Sequence, residues 1–346
     1  MVTLSTGGAP LLEVEDLVVT FPAGGFGRRK RLLHAVNGVS LRINAGEIVG
    51  LVGESGSGKS TLGRAILQLE APVAGQVRFD GRAVTRGQKP AIARLRRQTA
   101  MIFQDPFSSL NPRQTIGASI AEVLRVHGKA GKAAIPARVN ALLNQVGLRA
   151  EHGACRPASL SGGQCQRAGI ARALALEPRL IIADECVAAL DVSIQGQIIN
   201  LLLDLRERMG LAILFIAHDL AIVRSLCDRV AVMYLGRIVE SGPVDAVFSR
   251  PRHPYTAALM AAIPEIDPDR PLPANPLSGE LPSPLAMPSG CAFHPRCGYA
   301  LAGCRTGAPP PTRHLADRAF ACVLDDAGDE AIYPLNEGMF DEAKKR

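Results

Sequence analysis

The stretch Gly53-Glu54-Ser55-Gly56-Ser57-Gly58-Lys59-Ser60 constrains this chain more than any other, because it fits G-x-x-x-x-G-K-[ST]. Before it, Ile48-Val49-Gly50-Leu51-Val52 reads as a strand buried on both faces. After it, Leu62 to Leu69 places apolar residues at 62, 65, 66 and 69, the spacing of a helix. Glycines let backbone wrap closely round a phosphate, and successive N–H groups at a helix start point at the anion. In such a loop Lys59 reaches the β- and γ-phosphates. Ser60, with Thr61 behind it, supplies a hydroxyl to Mg²⁺. An ordinary Gly/Ser turn has no need of a strand before, Lys-Ser inside and a helix after. The loop predicts a bound nucleotide.

The rest of the chain bounds the setting. At 346 residues, with 47% hydrophobic and 21% charged residues, it has the make-up of a soluble globular protein. No apolar run reaches the ~18–20 residues of a membrane span. The longest, around 180–190 and 198–205, are broken by Asp184, Glu185 and Asp204. The start lacks the basic-then-apolar order of a signal peptide, so a cytoplasmic protein is expected. The net charge of +7, with runs at Arg28-Arg29-Lys30-Arg31 and at Arg94, Arg96 and Arg97, suits nucleic acid, an anionic membrane or solvated loops alike. The absence of Trp argues against base stacking.

Taken in order, Leu11 to Thr20 reads as a strand ended by Phe21-Pro22, and Ala23 to Arg31 as a Gly-rich basic loop. Val36–Ile43, Gly75–Phe79 and Thr99–Phe103 read as further strands. Ile116–His127 and Ala134–Val146 carry helical periodicity with no strand signal between them, which suggests a helical insertion at about 105–165. Ser161 then caps a helix through Leu176. Leu180–Ala183 and Ala212–Ala217 read as buried strands on either side of a helix at Val192–Met209. Asp219–Leu226 reads as a short helix, and Val230–Tyr234 with Arg237–Glu240 as a hairpin. Short helices are expected at Val244–Phe248 and Tyr255–Ile263. From Pro264 prolines crowd the sequence and periodicity vanishes. The expected division is therefore a nucleotide-binding domain over 1–263 and a loop-rich appendage over 264–346.

Two further patterns carry chemistry. Leu180-Ile181-Ile182-Ala183 leads into Asp184-Glu185, and a buried strand ending in Asp is where such enzymes keep a Mg²⁺ contact. Glu185, one residue on, can polarise a water for attack on the γ-phosphate. Leu160-Ser161-Gly162-Gly163-Gln164 combines a capping Ser with two glycines at a helix start, a second candidate anion site. His218 follows the strand through Ile216. By itself it reads as a buried, hydrogen-bonded histidine.

Together these residues resemble the ATP-binding subunit of an ABC transporter from about Leu11 to Ile263. The resemblance implies an α/β P-loop ATPase fold: a mostly parallel core sheet, an antiparallel β subdomain and a helical signature subdomain. It implies that Phe21 stacks on adenine and that Gly53, Ser55, Gly56, Ser57, Gly58, Lys59, Ser60 and Thr61 bind the phosphates of ATP. Gln104 links the nucleotide and its Mg²⁺ to the membrane subunits. Ser161, Gly162, Gly163 and Gln164 cap the γ-phosphate held by the opposite subunit. Asp184 holds Mg²⁺ with Ser60, Glu185 is the general base, Asp191 lies in the dimer-contacting loop, and His218 is the γ-phosphate switch.

Three stretches narrow the resemblance: Gln104-Asp105-Pro106-Phe107-Ser108-Ser109-Leu110-Asn111-Pro112-Arg113, Ala189-Leu190-Asp191-Val192-Ser193-Ile194-Gln195 and Arg252-His253-Pro254-Tyr255-Thr256. They are similar to dipeptide, oligopeptide and nickel importers, and Thr61-Leu62-Gly63-Arg64 to the second of the two ATPases such importers carry. This implies an ATPase that energises peptide import, with nickel or another small solute as the alternative cargo. It implies a related but distinct partner ATPase and two membrane permease subunits. An extracytoplasmic solute-binding protein would supply the cargo, and the position is peripheral, on the cytoplasmic face of the membrane. A soluble ABC ATPase acting on nucleic acid or ribosomes is the rival. It usually carries a second cassette, coiled coil or zinc module not seen here, so no nucleic-acid partner is expected. Cys186 stands where the family has Pro, Ala188 where it has Ser, and Cys165 where it has Gln or Arg. These departures remove no catalytic group but suggest a thiol-sensitive ATPase.

Cys291, Cys297, Cys304 and Cys322 crowd the appendage. Disulfides are unexpected in a cytoplasmic protein, and metal ligation would fold a segment that lacks its own core. The spacing matches neither paired C-x2-C zinc ribbons nor the ferredoxin run. A similar pattern in the peptide-importer group implies a [4Fe–4S] cluster. Zinc and unligated thiols remain the alternatives.

Overall fold

The computed structural model describes residues 9–23, 31–84, 87–262 and 280–324. The expected boundary between 263 and 264 lies outside them, as do Arg28, Arg29 and Lys30 of the basic run. The chain begins with β1 (Leu12–Ala23), β2 (Arg31–Ile43) and β3 (Ile48–Val52), then α1 (Lys59–Ile66), β4 (Ala74–Phe79) and β5 (Arg82–Val84). Next come α2 (Lys89–Gln98), β6 (Thr99–Ile102), α3 (Ile116–Val126), α4 (Ile135–Gln145) and α5 (Gly162–Leu174). The second half holds β7 (Leu180–Asp184), α6 (Val192–Met209), β8 (Ala212–Ile216), α7 (Leu220–Leu226), β9 (Arg229–Tyr234) and β10 (Arg237–Pro243). It closes with α8 (Val244–Ser249), α9 (Pro254–Ala261), β11 (Arg313–Leu315) and β12 (Arg318–Phe320).

Two sheets organise these elements. One is four-stranded and antiparallel in the order β2-β1-β4-β5, and the other is eight-stranded in the order β11-β12-β10-β9-β3-β8-β7-β6. Within the larger sheet, β9, β3, β8, β7 and β6 run parallel. Its central strands are buried on both faces and divide their side chains between two cores. Ile48, Ile181, Ile213 and Phe215 face the core beneath the helical insertion. Val49, Leu51, Ile182, Leu214 and Ile216 face the core shared with α1 and the antiparallel sheet. The period of two along each strand forces this division.

Four differences from the sequence reading have physical reasons. Phe21-Pro22 does not end β1: Pro22 pairs with Leu32, past the point where β4 stops at Val18↔Ala74. With one edge of β1 open there, a residue without an N–H costs no ladder bond. Likewise β2 begins at Arg31 rather than Val36, inside the stretch read as a loop. Helix α2 went unread because Leu95 is its one buried residue. It carries the basic run at 94–97, and Arg94 and Arg96 are tied to Asp80 (3.6 Å) and to the Gln68 carbonyl (2.7 Å). Finally, the appendage is stitched into the main sheet. β12 pairs with β10 through Glu240↔Phe320 and Ser241↔Ala319, and β11 extends the edge.

Candidate nucleotide site

Strand register brings the site together. Leu51 of β3 stands opposite Ile216 of β8, and Ile216 stands opposite Asp184 of β7. The three parallel strands therefore end at one level, with the glycine loop, His218 and Glu185 just beyond it. Ligands of open α/β sheets bind outside these carboxyl ends. Across two strands, the Ser60 hydroxyl donates to Asp184 Oδ1 at 2.7 Å. This sets two hard oxygen donors side by side, the chemistry that suits Mg²⁺.

The loop is held by its own backbone. Gly58 precedes α1 with φ +103°, and an added Cβ would lie 2.1 Å from the Ala35 carbonyl oxygen. Gly53, at φ +148°, would place one 2.1 Å from the Met233 carbonyl oxygen. With Gly58 as its cap, α1 has no side chain to satisfy its first N–H groups, which stay available to an anion. Lys59 Nζ donates to the carbonyls of Gly53 (2.8 Å) and Glu54 (2.9 Å). Burial pushes the Lys59 amine down, while the carboxylates of Glu185, Asp184 and Glu54 pull it back up. For Asp184 burial pushes the carboxyl up, and the Ser60 hydrogen bond opposes it.

Phe21, Ser55, Gly56, Gly58, Lys59, Ser60, Thr61, Gln104 and Glu185 all line one cleft. Glu185 takes a left-handed backbone (φ +45°), and its N–H donates to the Ile216 carbonyl (2.9 Å), turning the chain sharply off β7. Strain of this kind clusters at functional positions. His218 Nδ1 stands 3.9 Å from Glu185 Oε2, and its side chain is more than half exposed. The buried histidine read from the sequence alone does not hold. Ser57 is buried, and its hydroxyl has no partner.

Ser161, Gly162, Gly163, Gln164 and Asp191 do not line that cleft. Ser161 and Gln164 form a capping box at α5: Gln164 N–H donates to Ser161 Oγ (3.3 Å) and Ser161 N–H to Gln164 Oε1 (3.0 Å). Asp191 caps α6 without a side-chain hydrogen bond. Cys165 and Cys186 are both buried, which pushes their thiols up to about 11 and about 12.

The sequence reading missed residues that hold the loop from outside. Gly236, at the tip of the β9–β10 hairpin, donates its N–H to the Ser57 carbonyl (2.9 Å). The Tyr255 hydroxyl accepts from Glu54 N–H (2.8 Å), and Arg296 pairs with the Glu54 carboxylate (2.9 and 3.1 Å). Pro284, from the appendage, lines the cleft. The one signal was His253-Pro254-Tyr255, which marks a region without indicating that it touches the loop.

Cys291, Cys297, Cys304 and Cys322 converge on one small cavity with Phe293 and His294. The expected metal centre is not preformed there: among the described residues no group of three or more His, Cys, Asp or Glu is placed to hold a metal ion. Burial pushes the Cys322 thiol up to about 11, and Cys291 and Cys297 up as well. Backbone N–H groups oppose this at Cys291 (from Phe293 and His294), Cys297 (Tyr299) and Cys322 (Leu324).

Comparison with known proteins agrees with this geometry. Residues 36–188 match the ABC transporter family, and residues 239–304 match the oligopeptide/dipeptide transporter C-terminal region. A probable peptide ABC transporter ATP-binding protein of Sinorhizobium fredii is 49% identical over 90% of this chain and 89% of its own length. A putative peptide import ATP-binding protein of Brucella ovis is 48% identical over 92% and 98%. A glutathione import ATP-binding protein of Salmonella choleraesuis is 54% identical over 80% of this chain, which spans 45% of that longer protein. Among solved structures, the ATP-binding cassette MJ0796 in its dimeric post-hydrolysis state with ADP and Pi has a TM-score of 0.61 at 28% identity. That match covers 67% of this chain and 98% of the cassette.

Proposed function

This chain belongs to the ATP-binding import subunits of ABC transporters, and from that premise we propose that it hydrolyses ATP to drive peptide uptake. Its relatives are named for peptides and for glutathione, so the cargo proposed is a short peptide. The observation that carries the catalytic reading is the register Leu51–Ile216–Asp184, which puts Asp184 in hydrogen-bond reach of Ser60 at the cleft that Lys59, Ser60 and Glu185 line. Lys59 leaves its carbonyl partners for the β- and γ-phosphates. Phe21 packs on the base. Gln104 and Glu185 flank the γ-phosphate position, with Glu185 taking a proton from the attacking water and His218 steadying it. Ser60 and Asp184 would hold Mg²⁺, which when bound neutralises phosphate charge. Positioning and fixed charge supply the catalysis.

Ser161–Gln164 and Asp191 stand outside the chain's own cleft, which favours their use against nucleotide held by a second ATPase subunit. We assign that partner as a related, distinct chain, coupled through Gln104 to two permease subunits and served by an extracytoplasmic binding protein. Among the described residues no helix is long and apolar enough to cross a membrane; the peripheral position on the cytoplasmic face is proposed from the likeness to import subunits. The four cysteines are proposed to take an iron–sulfur cluster, supported by their shared cavity and the N–H groups facing three of the sulfurs.

The test is Glu185→Gln in the assembled transporter. ATP binding should stay within a few-fold of wild type while hydrolysis and labelled dipeptide uptake fall about 100-fold or more. Hydrolysis near the normal rate would remove Glu185 as the base.

A further inference from the structure

Glu54, the second residue of the phosphate loop, is gripped at three points. Its N–H donates to the Tyr255 hydroxyl (2.8 Å), its carbonyl accepts from Lys59 Nζ (2.9 Å), and its carboxylate accepts twice from Arg296 Nη1 (2.9 and 3.1 Å). Only Lys59 belongs to the loop. Tyr255 comes from α9, and Arg296 from the appendage, beside Cys297.

Arg296 is well shielded, its side chain 5% exposed, while that of Glu54 is 25% exposed. The guanidinium lies 6.0 Å from the centre of the Tyr234 ring, while Phe293 packs edge-on to Tyr234 and tilted against Tyr255. The turn that presents Arg296 is the cysteine turn itself. Arg296 N–H donates to the Phe293 carbonyl (3.0 Å) and Cys297 N–H to the His294 carbonyl (3.4 Å). Cys291 N–H is braced by the Cys304 carbonyl (2.9 Å). Arg296 and the cysteines thus share one hydrogen-bonded turn.

The charge arithmetic gives this grip a consequence. A carboxylate left unpaired in a loop built to take a polyanion repels the phosphates at low effective dielectric. Arg296 cancels that charge and fixes the carbonyl against which Lys59 rests. We propose that Arg296 is a positioning residue for the phosphate loop, through which the packing of the four-cysteine segment sets the affinity for ATP. The inference rests on the reading that Gly53–Ser60 holds the triphosphate. Linkage makes it reciprocal: if an ordered cysteine turn favours bound ATP, bound ATP must order the cysteine turn by the same factor.

The experiment is equilibrium binding of MgATP to full-length protein carrying Arg296→Gln, Glu54→Gln, both, or Arg296→Lys, with hydrolysis kinetics alongside. Arg296→Gln leaves a lone carboxylate in the loop and should weaken binding about ten-fold, raising KM more than it lowers kcat. Glu54→Gln removes the charge that Arg296 answers and should cost only about two- to three-fold. The double variant should return to the Glu54→Gln level, and Arg296→Lys should recover part of the loss. A purely structural role predicts losses that add. In parallel, MgATP should slow amide exchange over residues 291–304 in the wild type and not in Arg296→Gln. Additive losses overturn the proposal, as does Arg296→Gln binding within two-fold of wild type. If Arg296→Gln does not fold, Arg296→Lys and exchange in the wild type decide, and no protection by MgATP overturns it. Lys59→Ala separates the premise: normal MgATP binding by that variant would overturn the loop reading itself.

Discussion

The phosphate loop and the four-cysteine pocket gather reactive groups by opposite means. The loop is one unbroken run between β3 and α1, and its shape is set by backbone: carbonyls of Ala35 and Met233 press on Gly58 and Gly53, leaving no room for a Cβ. The pocket draws its sulfurs from turns spread over residues 291–322 and borrows walls from His253 and Pro254. It is moored by one buried carboxylate. Glu240 of β10 accepts from the N–H groups of Arg252 (2.9 Å) and His253 (3.0 Å) and from the Arg318 guanidinium of β12. A site made of backbone is rigid and local. One made of side chains on loops depends on whatever moors the loops.

The sharpest way to break that contrast is a single methyl group in the loop. Gly58→Ala needs a Cβ 2.1 Å from a backbone oxygen at φ +103°, and backbone cannot step aside cheaply. It should abolish MgATP binding and cost about 3 kcal/mol or more of stability. Gly56→Ala, at φ +79° with nothing within 4 Å, should cost only about 1 kcal/mol and keep measurable binding. Calorimetric melting with nucleotide titration compares the two. Equal penalties would mean that torsion alone, and not the close approach, sets the cost.

Legibility followed the same division. Asp184 and Glu185 could be picked out because they close a short apolar run, and such a run in an α/β chain is a central parallel strand; His218, which by itself reads as a buried histidine, was picked out only through the family resemblance. The register Leu51–Ile216–Asp184 then follows from stacking those strands at one level. Tyr255 and Arg296 could not be picked out, since their partner Glu54 lies some two hundred residues earlier and no periodicity links them. α2 was hidden for a different reason: Leu95 is its single buried residue, too little for an amphipathic signal. Pro22 misled because the open edge that makes proline harmless in β1 is a property of sheet order, not of sequence.

A smaller effect is expected on the pocket side. Protein purified without air should carry about four irons and four sulfides per chain if the cluster reading holds, with little zinc. Cys322→Ser should strip most of that iron and quicken proteolysis within residues 280–324. Nucleotide binding should weaken less than in Gly58→Ala. Stoichiometric zinc in place of iron would turn the reading to a single-ion site, and neither metal would leave four free thiols.

The smallest effect expected is no effect, at the two cysteines that stand in unusual positions beside the site. A thiol reacts as its thiolate, and burial raises Cys165 to about 11 and Cys186 to about 12. At pH 7.5 roughly one Cys165 in a few thousand is ionised, and fewer of Cys186, and both residues are buried. Alkylation of the native protein should therefore fall first on the half-buried Cys155, Cys291 and Cys297. Any loss of ATPase activity should track label on Cys291 and Cys297, whose turn carries Arg296, and not label on Cys165 or Cys186. Peptide mass mapping at several extents of reaction separates these cases. Loss in proportion to label on Cys186 would show that the core opens on the reaction timescale, and the thiol sensitivity suggested by the sequence would then belong to the loop side of the molecule rather than to the pocket.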